Sequence, residues 1–153
     1  MLQLNLPEYN FNIKNVNKKN YIFDANRKKY VVLTPEEWVR QYYIRFLTEE
    51  KAYPSSLIAI EKQLSLNGMK KRCDAIVYNY NAEPVMIIEF KAPNIKITQH
   101  TFDQAAVYNS KLKVDFLMIS NGLEHYCCKV DFENNKYSFF SEIPDFHKLI
   151  QQI

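Results

Sequence analysis

Glycine is scarce in this chain of 153 residues, which contains only Gly68 and Gly122, far apart in the sequence. Phosphate-binding loops of the GxxxxGK[ST] and GxGxxG types need clustered glycines, because the backbone must approach the phosphate closely. The sequence therefore excludes P-loop nucleotide hydrolases and dinucleotide enzymes, and we expect no nucleotide cofactor.

Cysteine is also rare, and Cys73, Cys127 and Cys128 lack the CxxC or finger spacing of a zinc site or disulfide framework. Free thiols in a reducing cytoplasm are therefore favoured. No stretch approaches 18 apolar residues, and the N-terminus has no basic region followed by a long apolar run. We expect a cytoplasmic protein that does not bind a membrane.

The apolar and aromatic contents, 47% and 14%, are high enough for a packed interior, and the length fits one globular domain. The net charge of +3 permits an anionic partner but does not demand one. Basic residues cluster at 14–19, 27–29 and 70–72. A basic cluster alone is more often a solvated surface than a nucleic-acid footprint.

The pattern of apolar residues predicts an α/β (α+β) domain with a central mixed β-sheet flanked by helices. Residues 1–33 are expected to form an extended arm and a β-hairpin around "DANR", and residues 34–153 the main domain. The most secure helix begins with Thr34 as N-cap, Pro35 in the first turn and Glu37 completing a capping box. Strands, a second helix, further strands and a short terminal helix follow.

The stretch "VMIIEFKAP" ends a buried strand with Glu89 and Lys91, whose side chains share one face because strand residues alternate. If the preceding hairpin turns at Asn81 and Ala82, Asp74 lies directly opposite Glu89. Two facing carboxylates repel each other. A divalent cation with oxygen ligands, Mg²⁺ or Mn²⁺, would relieve that repulsion.

An alternative without a metal remains open. Glu89 and Lys91 could pair with each other at the strand end, while Asp74 caps a turn or pairs with Arg72. A hairpin loop longer than two residues would also shift the register. His100, His125 and His147 have no metal-ligand spacing.

The sequence "RCD…IIEFKAP" resembles the core of the PD-(D/E)XK nuclease superfamily. Five blocks, "LTPEEWVRQYYIRFL", "KKRCDAIVYN", "MIIEFKAP", "TFDQAAVYN" and "LMISNGLEHY", occur in the order of N-terminal nuclease domains of type I restriction enzyme R subunits. The resemblance covers residues 34–126. It implies a restriction-endonuclease-like core at 34–153 and a metal-dependent DNA endonuclease that hydrolyses phosphodiester bonds.

The resemblance also implies roles for matched residues. Asp74 and Glu89, helped by the Phe90 carbonyl, would bind Mg²⁺ or Mn²⁺, and Lys91 would assist the attacking water. Glu37 would be a third metal ligand, Gln104 and Tyr108 would form a Q-x-x-x-Y pair that faces the site and the DNA backbone, and Glu61 and Arg72 would form a supporting ion pair. Separately from the resemblance, Lys70 and Lys71 of the basic cluster at 70–72 are expected to bind DNA. For Glu37 and for the Q-x-x-x-Y pair, an N-terminal cap and an ordinary polar helix rim are competing explanations.

Two departures from the family pattern stand out. "PD" reads "CD" here, and the chain has neither the length nor the glycine-rich loop of the ATP-driven translocase found in R subunits. The sequence thus favours a nuclease domain whose partners are DNA and either other restriction-system subunits or a second copy. The alternatives are a catalytically silent nucleic-acid or protein-binding module, and a purely structural role.

Overall fold

Two β-sheets and three α-helices make up the part of the protein, residues 2–152, that its computed structural model describes. A small antiparallel sheet precedes a mixed six-stranded sheet. The elements are β1 Ile13–Val16, β2 Lys19–Asp24, β3 Lys29–Val32, α1 Pro35–Glu50, a 3₁₀ turn Ser55–Leu57, β4 Ile58–Leu66, β5 Met69–Tyr78, β6 Pro84–Phe90, α2 Gln99–Leu112, β7 Phe116–Ser120, β8 His125–Asp131, β9 Lys136–Phe139 and α3 Phe146–Gln151. The predicted α/β class, with a mixed sheet flanked by helices, is confirmed.

Helix α1 begins as the sequence predicts, since the Thr34 hydroxyl accepts a hydrogen bond from the Glu37 amide at 3.0 Å. Its apolar stripe packs against one face of the large sheet, where the ring of Tyr43 lies 5.8 Å from that of Phe90. The opposite face of the sheet receives α2, through Phe102 and Ala106. The sheet is therefore buried on both sides, as its long apolar runs require.

The large sheet is mixed because β6 and β7 run parallel, with α2 as the crossover between them, while its other strand pairs are antiparallel. Strands follow one another in the order β4 to β9. The β4–β5 turn is made by Asn67 and Gly68, both with positive φ, as in the two-residue hairpins that this dipeptide favours.

The β5–β6 hairpin keeps the predicted register by a different route. Ala75 pairs with Ile88 and Ile76 with Ile87, as expected if Asp74 faces Glu89. The predicted two-residue turn is wrong, however. The loop is longer and closes where the Asn79 amide donates to the Glu83 carbonyl, and a register shift between Val77 and Tyr78 compensates for the difference.

Both strands beside the candidate site change the side to which their residues point. In β4, Ile58 packs on the α1 face of the sheet but Leu64 on the α2 face, although both positions are even-numbered. In β5, Ala75 faces α1 whereas Cys73 faces α2. The reversal coincides with Glu61, which has a left-handed φ of 47° and interrupts the ladder opposite Asp74.

The N-terminal residues are more structured than the predicted arm and hairpin. Residues 13–16 add a third strand, β1, to the hairpin formed by β2 and β3. The preceding segment packs on the main domain, where the Asn5 amide donates to the Gly122 carbonyl at 2.8 Å and Leu4 is buried. Within residues 2–152, no helix is long and apolar enough to cross a membrane.

Candidate functional site

A cavity of about 520 Å³ lies between the large sheet and α2. Glu89 and Lys91, at the end of β6, line it from the sheet side. Gln104 and Tyr108, one helical turn apart on α2, line it from the helix side. The structure thus brings together four of the residues that the sequence marks for the site.

The cavity carries an excess of positive charge. Lys71, Lys91 and Lys111 line it, whereas Glu89 is the one acidic residue among its described lining residues. Apolar side chains from β5, α2 and β7 complete the wall. This excess of positive charge suits an anionic ligand such as a phosphate group.

Asp74 lies beside this cavity rather than in its wall. Its Oδ2 atom accepts a hydrogen bond from the Phe90 main-chain amide at 2.8 Å. Its Oδ1 atom has the Arg40 guanidinium at 3.9 Å. One carboxylate oxygen therefore fixes the side chain against β6, and the other makes a long ionic contact with Arg40.

The Glu89 carboxyl forms an ion pair with Lys71 and lies beside Asp74 on the adjacent strand. Burial, followed by the negative charge of Asp74, raises the pKa of Glu89 to about 7, although the Lys71 ammonium acts in the opposite direction. Lys71 donates a hydrogen bond to Glu89 Oε1 and lies 5.0 Å from the centre of the Tyr108 ring. The two carboxylates that the register predicts to face each other are therefore electrostatically coupled.

The Phe90 carbonyl is aimed toward the same place. In an extended strand, the N–H and C=O of one residue project to the same edge. The Phe90 amide reaches the Asp74 carboxylate on the β5 side, whereas the Lys91 amide reaches the Ser120 carbonyl on β7 at 2.9 Å. The Phe90 carbonyl consequently points toward β5, beside Asp74.

Glu37 does not join this group. Its Oε1 accepts hydrogen bonds from Arg27 at 2.8 Å and Arg40 at 2.7 Å, and its Oε2 accepts one from Gln41 at 3.0 Å. Both oxygens of this buried carboxylate are thus occupied, which argues against the predicted role of Glu37 as a metal ligand. The side chain also does not reach back to complete the capping box.

The neighbouring Glu36, also on α1, interacts electrostatically with the candidate site. It is about half exposed, with a side-chain accessibility of 45%. Burial and the charge of Asp74 raise its pKa, while Arg40 and Lys91 lower it. The sequence places two adjacent glutamates at the helix start, and helix geometry directs them to different neighbours.

The predicted Glu61–Arg72 ion pair is present at 3.5 Å, but both side chains are well exposed. Glu61 also contacts Arg40 at 3.2 Å and Arg27 at 3.4 Å, and these two arginines are the more buried partners. Exposed pairs contribute little to stability. The contact with Arg72 is therefore an outer part of a larger network.

Two further expectations are corrected by these contacts. Glu89 pairs with Lys71 rather than Lys91, and Asp74 meets the Phe90 amide and Arg40 rather than Arg72. Of the two lysines predicted to bind DNA, Lys71 points into the cavity and Lys70 is exposed.

The donor set fits a Mg²⁺ or Mn²⁺ ion held by few protein ligands. Within residues 2–152, no three or more His, Cys, Asp or Glu side chains form a cluster that could hold a metal. Mg²⁺ commonly keeps several waters and takes only one or two carboxylates. Asp74 and Glu89 supply two carboxylates, and the Phe90 carbonyl adds one further oxygen ligand.

His125 has a structural role that sequence spacing did not reveal. Its Nδ1 atom lies 2.7 Å from the Ser120 hydroxyl, and its Nε2 lies 3.0 Å from the Asn5 carbonyl. Burial lowers the pKa of this imidazole. It therefore ties the N-terminal segment to β7 and takes no part in the candidate site.

The sheet covered by helices on both faces, with an acidic pair where β5 and β6 separate, defines a restriction-endonuclease-like α/β domain. The profile of the family described as "Type I restriction enzyme R protein N terminus (HSDR_N)" matches residues 35–144. The chain belongs to this family, as the sequence blocks predicted.

A fragment structure of a type I restriction enzyme HsdR subunit from Vibrio vulnificus YJ016 has a similar fold, with a TM-score of 0.52 and 20% sequence identity. The similarity covers 78% of this chain but 26% of that fragment, so the present chain spans about a quarter of its length. No curated protein is similar enough to count as a relative.

Proposed function

We propose that this chain is a metal-dependent DNA endonuclease domain that hydrolyses phosphodiester bonds, related to the N-terminal domain of type I restriction enzyme R subunits. The observation that carries the proposal is the proximity of the Asp74 and Glu89 carboxyls on the adjacent strands β5 and β6, with Lys91 on the same cavity as Glu89. The family membership supports it.

In this proposal Asp74, Glu89 and the Phe90 carbonyl would hold Mg²⁺ or Mn²⁺. The bound ion would supply Lewis-acid stabilisation of charge on the phosphodiester. Lys91 orients the attacking water beside the scissile phosphate and donates a hydrogen bond to one of its oxygens. Gln104 and Tyr108, on the opposite wall, position the DNA backbone.

Lys71 then has a defined part in the metal-free protein. Its ammonium neutralises Glu89, which would otherwise be a buried carboxylate facing a second negative charge. If a divalent ion were held at Glu89, that neutralisation would no longer be needed, and Lys71, which already lies over the Tyr108 ring, could contact a phosphate oxygen instead. Lys71 thus contributes to DNA binding only when the carboxylates have another cation.

The proposal is tested by incubating supercoiled plasmid with purified protein and Mg²⁺ or Mn²⁺. Nicking or linearisation is expected, with Lys91→Ala lowering the rate by about 100-fold or more, the range found for general acid–base groups. Lys136→Ala, an exposed lysine on β9, is the matched control. Undiminished cutting by Lys91→Ala or Asp74→Asn would contradict the site assignment.

A second candidate is a catalytically silent binding module that keeps the fold. It is favoured by the Lys71–Glu89 contact, which already satisfies one of the two carboxylates without a metal. Calorimetric titration separates the two: the nuclease requires Mg²⁺ or Mn²⁺ binding that Asp74→Asn abolishes, whereas the silent module binds DNA without binding either ion. Type I restriction subunits and a second copy of the chain are the proposed protein partners.

A further inference from the structure

Positive charge is concentrated in the small N-terminal sheet. Residues 13–32 contain six Lys or Arg residues and one acid, a net charge of +5, whereas the whole chain carries +3. All other residues together therefore carry −2. The excess positive charge of the protein resides in these twenty residues.

The five lysines among these residues face solvent, whereas Arg27 is paired with Asp24 and Glu37. Lys14, Lys18, Lys19, Lys28 and Lys29 are all exposed, and none of them forms an ion pair with a residue in the range 2–152. The one acid of the sheet, Asp24, is buried and binds Arg27 and Gln41.

The strand register places lysines and a tyrosine on one outward face. Lys14 pairs with Tyr21 and Lys19 with Val16, so all four side chains share a face. The Lys14 ammonium lies 3.9 Å from the centre of the Tyr30 ring, on β3. The other face carries buried residues such as Ile22 and Asp24, the latter bonded to α1 through Gln41.

The sheet also adjoins the candidate site. A cavity of about 550 Å³ lies between β3 and the start of α1, with Lys29 and Tyr30 on one side and Glu36 and Arg40 on the other. Arg40 is also the arginine that contacts Asp74. A long polyanion bound at Asp74 and Glu89 would consequently pass close to the basic sheet.

We propose that the outward face of β1–β3 binds the phosphate backbone of duplex DNA next to the cleavage site. The proposal rests on the proposed function for the identity of the polymer, but not on cleavage itself. Lysine ammonium groups contact phosphates without reading bases, so the surface would hold DNA independently of sequence. It would supply affinity that the small active-site cavity cannot.

The test is binding of a fluorescently labelled 30-base-pair duplex, measured by anisotropy in EDTA between about 50 and 200 mM KCl. Each lost phosphate contact should reduce the slope of log K against log [KCl] by about 0.9. The double variant Lys14→Gln/Lys19→Gln should therefore flatten the slope by about 1.8 and weaken binding on the order of 50-fold at ~0.1 M KCl.

Lys136→Gln/Lys148→Gln is the matched control, because both lysines are exposed but lie on β9 and α3. It should keep the wild-type slope, and thermal unfolding should show both variants to be folded. An unchanged slope in Lys14→Gln/Lys19→Gln, an equal change in the control, or no binding by the wild type would each overturn the proposal. The first of these is also expected if the face binds an acidic protein surface instead.

This binding experiment, together with the plasmid-cleavage assay in Mg²⁺ or Mn²⁺, separates this proposal from the nuclease assignment. A protein that binds duplex DNA through the sheet but never cuts supports the basic face and removes the enzymatic function. A protein that cuts normally while Lys14→Gln/Lys19→Gln leaves the salt slope unchanged keeps the nuclease assignment and overturns the basic face.

Discussion

Replacement of Asp74 by Asn should stabilise the metal-free protein. The amide oxygen can still accept the Phe90 N–H, whereas the charge that faces Glu89 disappears. A carboxylate that helps to bind a cation is thus expected to lower the stability of the fold when no cation is bound. This behaviour distinguishes a metal site from a structural ion-pair network, in which the same change would destabilise the fold.

The magnitude follows from the pKa of Glu89, which burial and the Asp74 charge raise from 4.5 to about 7 despite the opposing effect of Lys71. That difference corresponds to about 3 kcal/mol of destabilisation of the ionised form. Because burial is the largest cause, we assign about 1 kcal/mol of it to Asp74, or a rise in melting temperature of roughly 2–4 °C for a chain of this size.

The sign depends on pH in a defined way. The folded protein retains a proton on Glu89 that the unfolded chain releases above pH 4.5, so the destabilisation grows between pH 4.5 and about 7 and is complete above that range. The advantage of Asp74→Asn should therefore be small at pH 5 and full at pH 8.

The assay is thermal unfolding in EDTA at both pH values, with Asp103→Asn, an exposed carboxylate on α2, as the control. In the same buffer without EDTA, Mg²⁺ at ten times its dissociation constant should stabilise the wild type by about 1.4 kcal/mol and leave Asp74→Asn unchanged. The reasoning is refuted if Asp74→Asn melts at or below the wild-type temperature at pH 8 in EDTA.

Three further changes have defined outcomes in urea unfolding at pH 8. Lys71→Met leaves Glu89 without its cation and should destabilise the protein by about 1–2 kcal/mol, part of which Mn²⁺ restores. Glu37→Gln weakens the buried pairing with two arginines and should cost about 2–3 kcal/mol, against less than about 0.5 kcal/mol for the half-exposed Glu36→Gln. Gly122→Ala should lower the free energy of unfolding by about 1–2 kcal/mol, because φ is +86° and the new Cβ would lie 2.7 Å from Leu4 Cδ2. Since Leu4 belongs to the N-terminal segment, proteolysis of that segment should also become faster.

Each of these outcomes has a clear contrary. A Lys71→Met protein as stable as the wild type would mean that Glu89 is protonated and needs no cation. Equal effects of Glu36→Gln and Glu37→Gln would remove the distinction between the two glutamates. An unchanged rate of proteolysis in Gly122→Ala would show that the packing of the N-terminal segment does not depend on its contact with the β7–β8 loop.

Local signals in the sequence were sufficient for the elements that frame the site. Thr34 and Pro35 fixed the start of α1, and Asn67-Gly68 fixed the β4–β5 turn, because these residues have strong backbone preferences. The facing of Asp74 and Glu89 followed from two long apolar strands whose register is set by burial. The predicted register is correct although the predicted loop length is wrong, because a shift of one residue would turn every core side chain toward the wrong face.

The sequence by itself determined the family, the fold class and the acidic pair. Only the tertiary structure decided which charges meet that pair. Strict alternation would place Lys70 and Arg72 on the side of Asp74, but the left-handed Glu61 and the interruption of the ladder opposite it bring Lys71 to Glu89 instead. Likewise, the contacts of Arg27 and Arg40 from separate elements direct Glu37 away from the site. The change of face at a single residue and the long-range ion-pair network cannot be predicted from the periodicity of the sequence, because both depend on neighbours that are distant along the chain.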